Sequence, residues 1–435
     1  MIRSAVHASR ARIVCVAAVV FLFASSSGTV AANTLPLRLS ADKHSFFIGA
    51  AVAMTPFRNE PVYTEKLRRE FNMIVAENAF KFDAIHPSRT TFNFTDADAL
   101  VAFAEANDIE IRGHTLVWHQ QLPGWLTNGT FSRDEAIEIL RNHISTLVGR
   151  YKGRIWAWDV VNEAIDDTTA ALRTSSFWYR TIGPDYLELA FRFAYEADPD
   201  ALLYYNDYSA EGLGAKSDAV YNMIADLKSR GVPVDGVGWQ MHVLNGFRIT
   251  DGHRTNARRL ADLGLEVSIT ELDIRINLPT TADKLNQQAD SYRDIVNFCL
   301  SQPNVKALVM WGFTDKYSWI PGFFQGWGDA LIFDTNYQPK PAYGALKDVL
   351  DQGLDLAPRV ASVVRSGKAL LVSGENFDDG AQLLINGEKQ RKVFNDETNP
   401  LTMLVARKAG KFVQSGDRIQ VRNPDGSLSN EIIYP

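Results

Sequence analysis

Between residues 46 and 311 of this chain, short apolar runs rich in β-branched and aromatic residues alternate with longer stretches whose apolar positions recur every three or four residues. The short runs predict strands at 46–52, 73–76, 109–113, 155–161, 202–205, 236–239, 267–270 and 307–311. The longer stretches predict helices. Over 132–151, Ile137, Leu140, Ile144 and Leu147 fall on one face behind Ser132 and Glu135, a capping-box pair, and a second helix over 282–300 opens after Thr281. Strands alternating with helices in this number predict an α/β fold, a closed parallel (β/α)8 or TIM barrel. A doubly wound open sheet is the competing arrangement, but no Gly-rich phosphate loop follows the first strand.

From about residue 358 the pattern changes to short alternating runs at 360–364, 369–373, 382–385, 401–405, 418–422 and 431–434. Turn signals separate them at Ser366-Gly367, Asp379-Gly380, Asn386-Gly387 and Pro424-Asp425-Gly426. These features predict a small all-β sandwich over 356–435, joined by a linker at 354–359 to a barrel over 33–355. The nine tryptophans sharpen the boundary, since all lie between Trp118 and Trp327.

Residues 1–32 carry Arg3, Arg10 and Arg12 without an acid, then the apolar run 13–23 and a string of small residues ending at Ala32. This is the pattern of a secretory signal cleaved near Ala32, and its apolar run is too short to span a bilayer. Export places the protein in the periplasm, on the cell surface or in the medium. Cys15 leaves with the signal, so Cys299, set in an apolar run, has no internal disulfide partner and reads as a core thiol. The net charge of −6 becomes −9 without the signal arginines, and no basic tract is present, which argues against nucleic acid as a partner.

In a TIM barrel the functional groups project from the C-terminal ends of the strands. Those ends carry Glu77, Asn78 and Lys81 after the second strand, and His114, Trp118, His119 and Gln121 after the third. Asn162 and Glu163 follow the fourth; Asn206, Asp207 and Tyr208 the fifth; Gln240 and His242 the sixth; Glu271 and Asp273 the seventh; Trp311 and Trp319 the eighth. Two glutamates among amides, imidazoles and indoles suit cleavage of an acetal between sugars, where one carboxyl protonates the leaving oxygen and the other stabilises or attacks the anomeric carbon. Each residue alone has a plain alternative: an Asn-Glu pair as a helix start, a tryptophan as core, with Trp156, Trp158 and Trp178 the best core candidates. The histidines lack zinc-ligand spacing. Only the joint placement on one rim points to chemistry.

The segments GHTLVWHQQLPGW (113–125), WDVVNEA (158–164), LYYNDY (203–208), ITELD (269–273) and WGFTDKYSW (311–319) closely resemble glycoside hydrolase family 10, the secreted endo-β-1,4-xylanases, over residues 40–352. The resemblance implies xylan or xylo-oligosaccharides as substrate, a retaining double displacement and no metal or organic cofactor. It implies Glu163 as acid/base and Glu271 as nucleophile, with His242 bonded to the nucleophile, Asp273 behind it, and Asn162 on the 2-hydroxyl of the nearer glycone sugar. It implies Glu77, Asn78, Lys81 and Gln121 as ligands of the more distant glycone sugar, His114, Trp118 and Trp311 around the nearer one, and Trp319 as the residue that disfavours a hexose. Gln240 stands with the sugar ligands on the strand-end reading. Phe80 and Gly344 replace the family's usual Met and Trp. A β-1,4-glucanase of the same fold and a catalytically inactive sugar-binding barrel are the rival readings. In the tail, VSGENF and VRNPDGSLSN resemble immunoglobulin-like IPT/TIG domains. Its aromatics, Phe377, Phe394, Phe412 and Tyr434, include no tryptophan, which favours a spacer or docking role over a carbohydrate-binding one.

Overall fold

The structure, a computed structural model, describes residues 35–352, 357–378, 380–396, 399, 402–424 and 426–435. The export signal and residues 354–356 of the linker lie outside the described residues. The chain separates into two compact units that divide between residues 356 and 357.

The first unit is the expected barrel. Its strands are β1 (Phe47–Val52), β2 (Met73–Ala76), β3 (Glu110–Val117), β4 (Ala157–Asn162), β5 (Leu202–Asp207), β6 (Gly236–Trp239), β7 (Glu266–Asn277) and β8 (Val305–Met310). Each pairs in parallel with the next, and β8 closes on β1 in the register Phe47↔Ala307 to Ala50↔Met310. With helices outside and side chains within, both faces of every strand are covered, which is why the strands read as continuous apolar runs. Ala51, Met73, Val75, Ala307, Val309 and Trp311 pack together as a core inside the barrel, and the larger core lies between the strands and the helices. The predicted capping box of Ser132 and Glu135 opens the helix Arg133–Arg150, and Thr281 caps Ala282–Ser301.

Four strands run past their expected ends: β3 to Val117, β4 by one residue to Asn162, β5 to Asp207 and β7 to Asn277. Each extension begins with a buried polar residue, His114, Asn162, Asn206 or Glu271. A search for apolar runs stops where such residues begin, although the backbone ladder continues. The extension of β7 gains a short partner, His242–Leu244, in the parallel register His242↔Asp273, and an antiparallel one, Trp327–Gly328.

The second unit holds two antiparallel sheets. One comprises Arg359–Ser366, Ala369–Glu375, Met403–Ala406 and Val393–Asn395; the other comprises Glu388–Lys389, Gln382–Ile385, Arg418–Arg422 and Ile432–Ile433. Val360, Leu370, Val372 and Leu404 from the first sheet share one core with Leu383, Ile419 and Val421 from the second, the packing of a sandwich. The strand expected at 401–405 runs Met403–Ala406, Leu401 being outside the described residues, and the one at 431–434 shrinks to Ile432–Ile433. Strands Glu388–Lys389 and Val393–Asn395 escaped the sequence reading because both are too short to show an alternating pattern, and the first is wholly charged. Asn386 and Gly387, both at positive φ, make the hairpin turn between Gln382–Ile385 and Glu388–Lys389.

Among the described residues no helix is long and apolar enough to cross a membrane. Cys299 is buried, and burial pushes its thiol pKa up.

Candidate active site

Glu163 follows the last residue of β4 with φ at +57°, a left-handed conformation uncommon for a residue with a side chain. Its N–H donates to the Asn206 carbonyl on β5 (2.9 Å), so the turn is made while the barrel ladder still holds the backbone. The side chain is almost fully buried and receives two neutral donors: Trp118 Nε1–H on Oε2 (2.8 Å) and Gln240 Nε2–H on Oε1 (3.0 Å).

Glu271 projects from within β7 into a different environment. Its Oε1 accepts from Asn206 Nδ2–H (2.7 Å) and its Oε2 from His242 Nε2–H (3.2 Å). His242 Nδ1–H donates in turn to Asp273 Oδ2 (2.8 Å), which also accepts the indole N–H of Trp319 (2.8 Å). Burial alone lowers the pKa of His242, but the Asp273 and Glu271 carboxylates outweigh it and hold the ring up to about 10. Burial raises that of Glu271, yet the hydrogen bond from His242 and the neighbouring His114 and His242 rings prevail, and it falls below the usual carboxylate range. His242 is therefore an imidazolium at neutral pH, donating from both nitrogens, and Glu271 is ionised.

Amides connect the two carboxylates. Asn162 Oδ1 accepts from Asn206 Nδ2–H (2.9 Å) and Gln240 Nε2–H (3.3 Å), and each of those amides also donates to one glutamate. Thr270 Oγ1–H orients Asn206 from below (2.7 Å). A Cβ at position 238 would come within 2.1 Å of Asn206 Oδ1, so the glycine there leaves the space that Asn206 fills. His114 lies over a buried ion pair: its Nδ1–H donates to Asp159 Oδ2 (3.0 Å), and Asp159 pairs with Arg112 (2.5 Å). His114 Nδ1 is also 3.9 Å from Glu271 Oε1.

A second cluster stands beside these groups. Lys81 Nζ donates to Asn78 Oδ1 (3.1 Å) and Gln121 Oε1 (2.7 Å), and Gln121 donates to Asn78 (3.2 Å). Lys81 lies 5.0 Å from the ring centre of Trp118 and 5.8 Å from that of Trp311, which in turn meets His114 edge-on. Burial lowers the pKa of Lys81 and raises that of Glu77, whose Oε1 is 3.5 Å from Asn78 Nδ2. All fourteen side chains expected at the site from the sequence are thus drawn into one connected rim.

Three of these residues also hold protein partners that the sequence did not indicate. Gln240, grouped with the sugar ligands, bonds to Glu163 and Asn162. Asn162 has its oxygen engaged by two protein amides. Trp118, expected around the nearer glycone sugar, also donates to Glu163. Asn206, which touches the Glu271 carboxylate directly, was visible only as one of several polar residues after β5. His119 meets the Trp118 ring edge-on at 5.8 Å between ring centres, and burial lowers its pKa to about 4.

A parallel (β/α)8 barrel with two carboxylates on its C-terminal rim, one among neutral donors and one beside a His–Asp pair, belongs to the class of glycoside hydrolases. The family model for glycosyl hydrolase family 10 matches residues 37–349, and the chain belongs to that family. The endo-1,4-beta-xylanase B of Thermotoga neapolitana is 46% identical over 341 residues, covering 78% of this chain and 98% of that protein. Among solved structures, the native xylanase 10B of Thermotoga maritima superposes with a TM-score of 0.71 at 51% identity, covering 73% of this chain and 98% of that one. A xylanase from Bispora sp. MEY-1 with xylobiose gives 0.69 at 32% identity, covering 72% and 99%. The family match ends before the C-terminal unit begins.

Proposed function

We propose that this chain is an exported endo-1,4-β-xylanase that cleaves internal β-1,4-xylosidic bonds with net retention. The relatives above carry that name, but the observation that bears the mechanistic reading is the unequal holding of the two carboxylates. Glu271, ionised and oriented by His242 and Asn206, is placed to attack an anomeric carbon. Glu163, beside the uncharged Trp118 and Gln240, is placed to carry a proton. In the first step a Glu271 oxygen bonds to C1, the C1–O bond to the leaving sugar breaks, and the Glu163 proton passes to that oxygen. In the second, water attacks C1, its proton returns to Glu163, and Glu271 leaves as carboxylate.

The indole of Trp319, fixed by Asp273, closes the site beside His242 at 5.1 Å between rings and supports a preference for xylose, which lacks the hydroxymethyl group of glucose. Proton NMR during hydrolysis of a xylo-oligosaccharide tests the mechanism: the β-anomer is expected first, and initial release of the α-anomer refutes retention. Faster cleavage of carboxymethylcellulose than of xylan replaces the substrate with β-1,4-glucan. Export predicts a mature N-terminus near Asn33, checked by sequencing the secreted protein. For the C-terminal unit, read as an IPT/TIG-like spacer or docking module, removal of 357–435 is expected to leave retention on insoluble xylan unchanged.

A further inference from the structure

After β4 the backbone leaves the barrel ladder at Glu163, and three residues satisfy the next polar groups. The Glu163 N–H goes to the Asn206 carbonyl, as described above. The next two N–H groups, of Ala164 and Ile165, both donate to one side-chain oxygen, the Tyr205 hydroxyl, at 3.0 and 3.3 Å. From the other side Arg173 takes the carbonyls: its Nε–H donates to Glu163 O (3.3 Å), its backbone N–H to Ala164 O (2.7 Å) and an Nη–H to Ile165 O (3.0 Å). Tyr205 is fully buried and donates its own proton to Asp207 Oδ2 (2.5 Å); Asp207 Oδ1 accepts from Lys216 Nζ (2.9 Å) and from the Tyr208 N–H (2.9 Å). None of these contacts reaches the Glu163 carboxylate. They hold the turn from which it projects.

We infer that Tyr205, anchored by Asp207, and Arg173 form a backbone clamp that positions Glu163 for proton transfer to the leaving group. The inference rests on the reading of Glu163 as acid/base and adds residues that act only through it. A left-handed turn carrying a long side chain is costly to hold. Removing the hydroxyl orphans two buried N–H groups and takes from Asp207 the donor on its Oδ2, so the turn relaxes and the carboxyl loses its alignment with the glycosidic oxygen. In the bond-cleaving step, loss of alignment matters only where the leaving group needs a proton.

The test is steady-state kinetics of the full chain on xylan and on 2,4-dinitrophenyl β-xylobioside, whose phenolate leaves unaided, with kcat/KM reporting bond cleavage on both. Tyr205→Phe is expected to lose about 10- to 100-fold in kcat/KM on xylan and far less on the aryl substrate, with the loss in kcat rather than KM. Arg173→Met should show the same direction with a smaller split, and it carries the test should Tyr205→Phe fail to fold. Glu163→Ala, run alongside, separates the two levels of the argument. If Glu163→Ala splits the substrates and the clamp variants lose equally on both, Tyr205 and Arg173 are merely structural and the inference falls. If Glu163→Ala shows no split, the acid/base reading falls and takes the inference with it.

Discussion

The two glutamates of the rim share a bridge of amides and differ in almost everything else. Glu271 lies within a strand, so its backbone direction follows from the barrel ladder, and charged neighbours govern its protonation: His242 on one oxygen, with Asp273 behind it. Glu163 lies one residue beyond a strand, in a left-handed turn, and its carboxyl accepts from the uncharged Trp118 and Gln240. A nucleophile needs a charge that persists and a fixed line of attack, which strand geometry and an imidazolium supply. A group that gives up and regains a proton in each cycle is better served by neutral partners, because a fixed charge beside it would favour one protonation state throughout. Position in the strand and polarity of the neighbours thus vary together.

Substitutions can break this contrast at either end. Glu271→Gln keeps the shape and removes the attacking charge. A fall in kcat of at least about 10⁴-fold is expected, with xylo-oligosaccharide binding by calorimetry little changed, and substantial residual turnover would move the nucleophile elsewhere. Glu163→Ala should cost about 10²- to 10⁴-fold on xylan and much less on an activated aryl xylobioside; equal losses would remove the acid role.

The supporting residues sharpen the contrast further. Asn206→Ala takes a hydrogen bond from the ionised nucleophile and should lower kcat/KM about 10- to 100-fold on both substrates alike. Trp118→Phe keeps the ring but removes the donor to Glu163, and about a 10-fold loss is expected, concentrated on xylan. Were the two patterns interchanged, the assignment of partners to glutamates would be reversed.

The smallest effect concerns pH. The folded-state pKa of His242, about 10, lies above the roughly 6.5 of an unfolded histidine, so protonated His242 stabilises the fold. That contribution is complete below about pH 6.5, declines as pH rises and is gone above about 10. Calorimetric Tm values should therefore fall between pH 6.5 and 10 more steeply for the native chain than for His242→Gln. Parallel slopes would show that the ring carries no linked charge.

Much of this was legible before any coordinates. Alternating strand-like and helix-like runs signalled a barrel, because burial on both faces leaves parallel strands continuously apolar. The candidate glutamates stood out because each ends an apolar run, as at WDVVNEA and ITELD. The same signal concealed how far β3, β4, β5 and β7 extend, since each extension opens on a buried polar residue, His114, Asn162, Asn206 or Glu271, that ends the apolar run while the strand continues. The protein partners of Gln240 and Asn206 were hidden for a related reason: nothing local to residue 206 or 240 says which glutamate it will meet.

Element order, the division near residue 356 and the list of rim residues thus followed from periodicity and composition, which depend on neighbours a few positions away along the chain. Which rim residue holds which depended on closure. His242 faces Asp273 because 242–244 pairs in parallel register with the extension of β7. Tyr205 reaches the N–H groups after Glu163 because β5 lies beside β4 with Asn162 opposite Asn206. Such hydrogen bonds join groups far apart in sequence and require ångström-level registration of several strands, and that registration exists only once the barrel has closed.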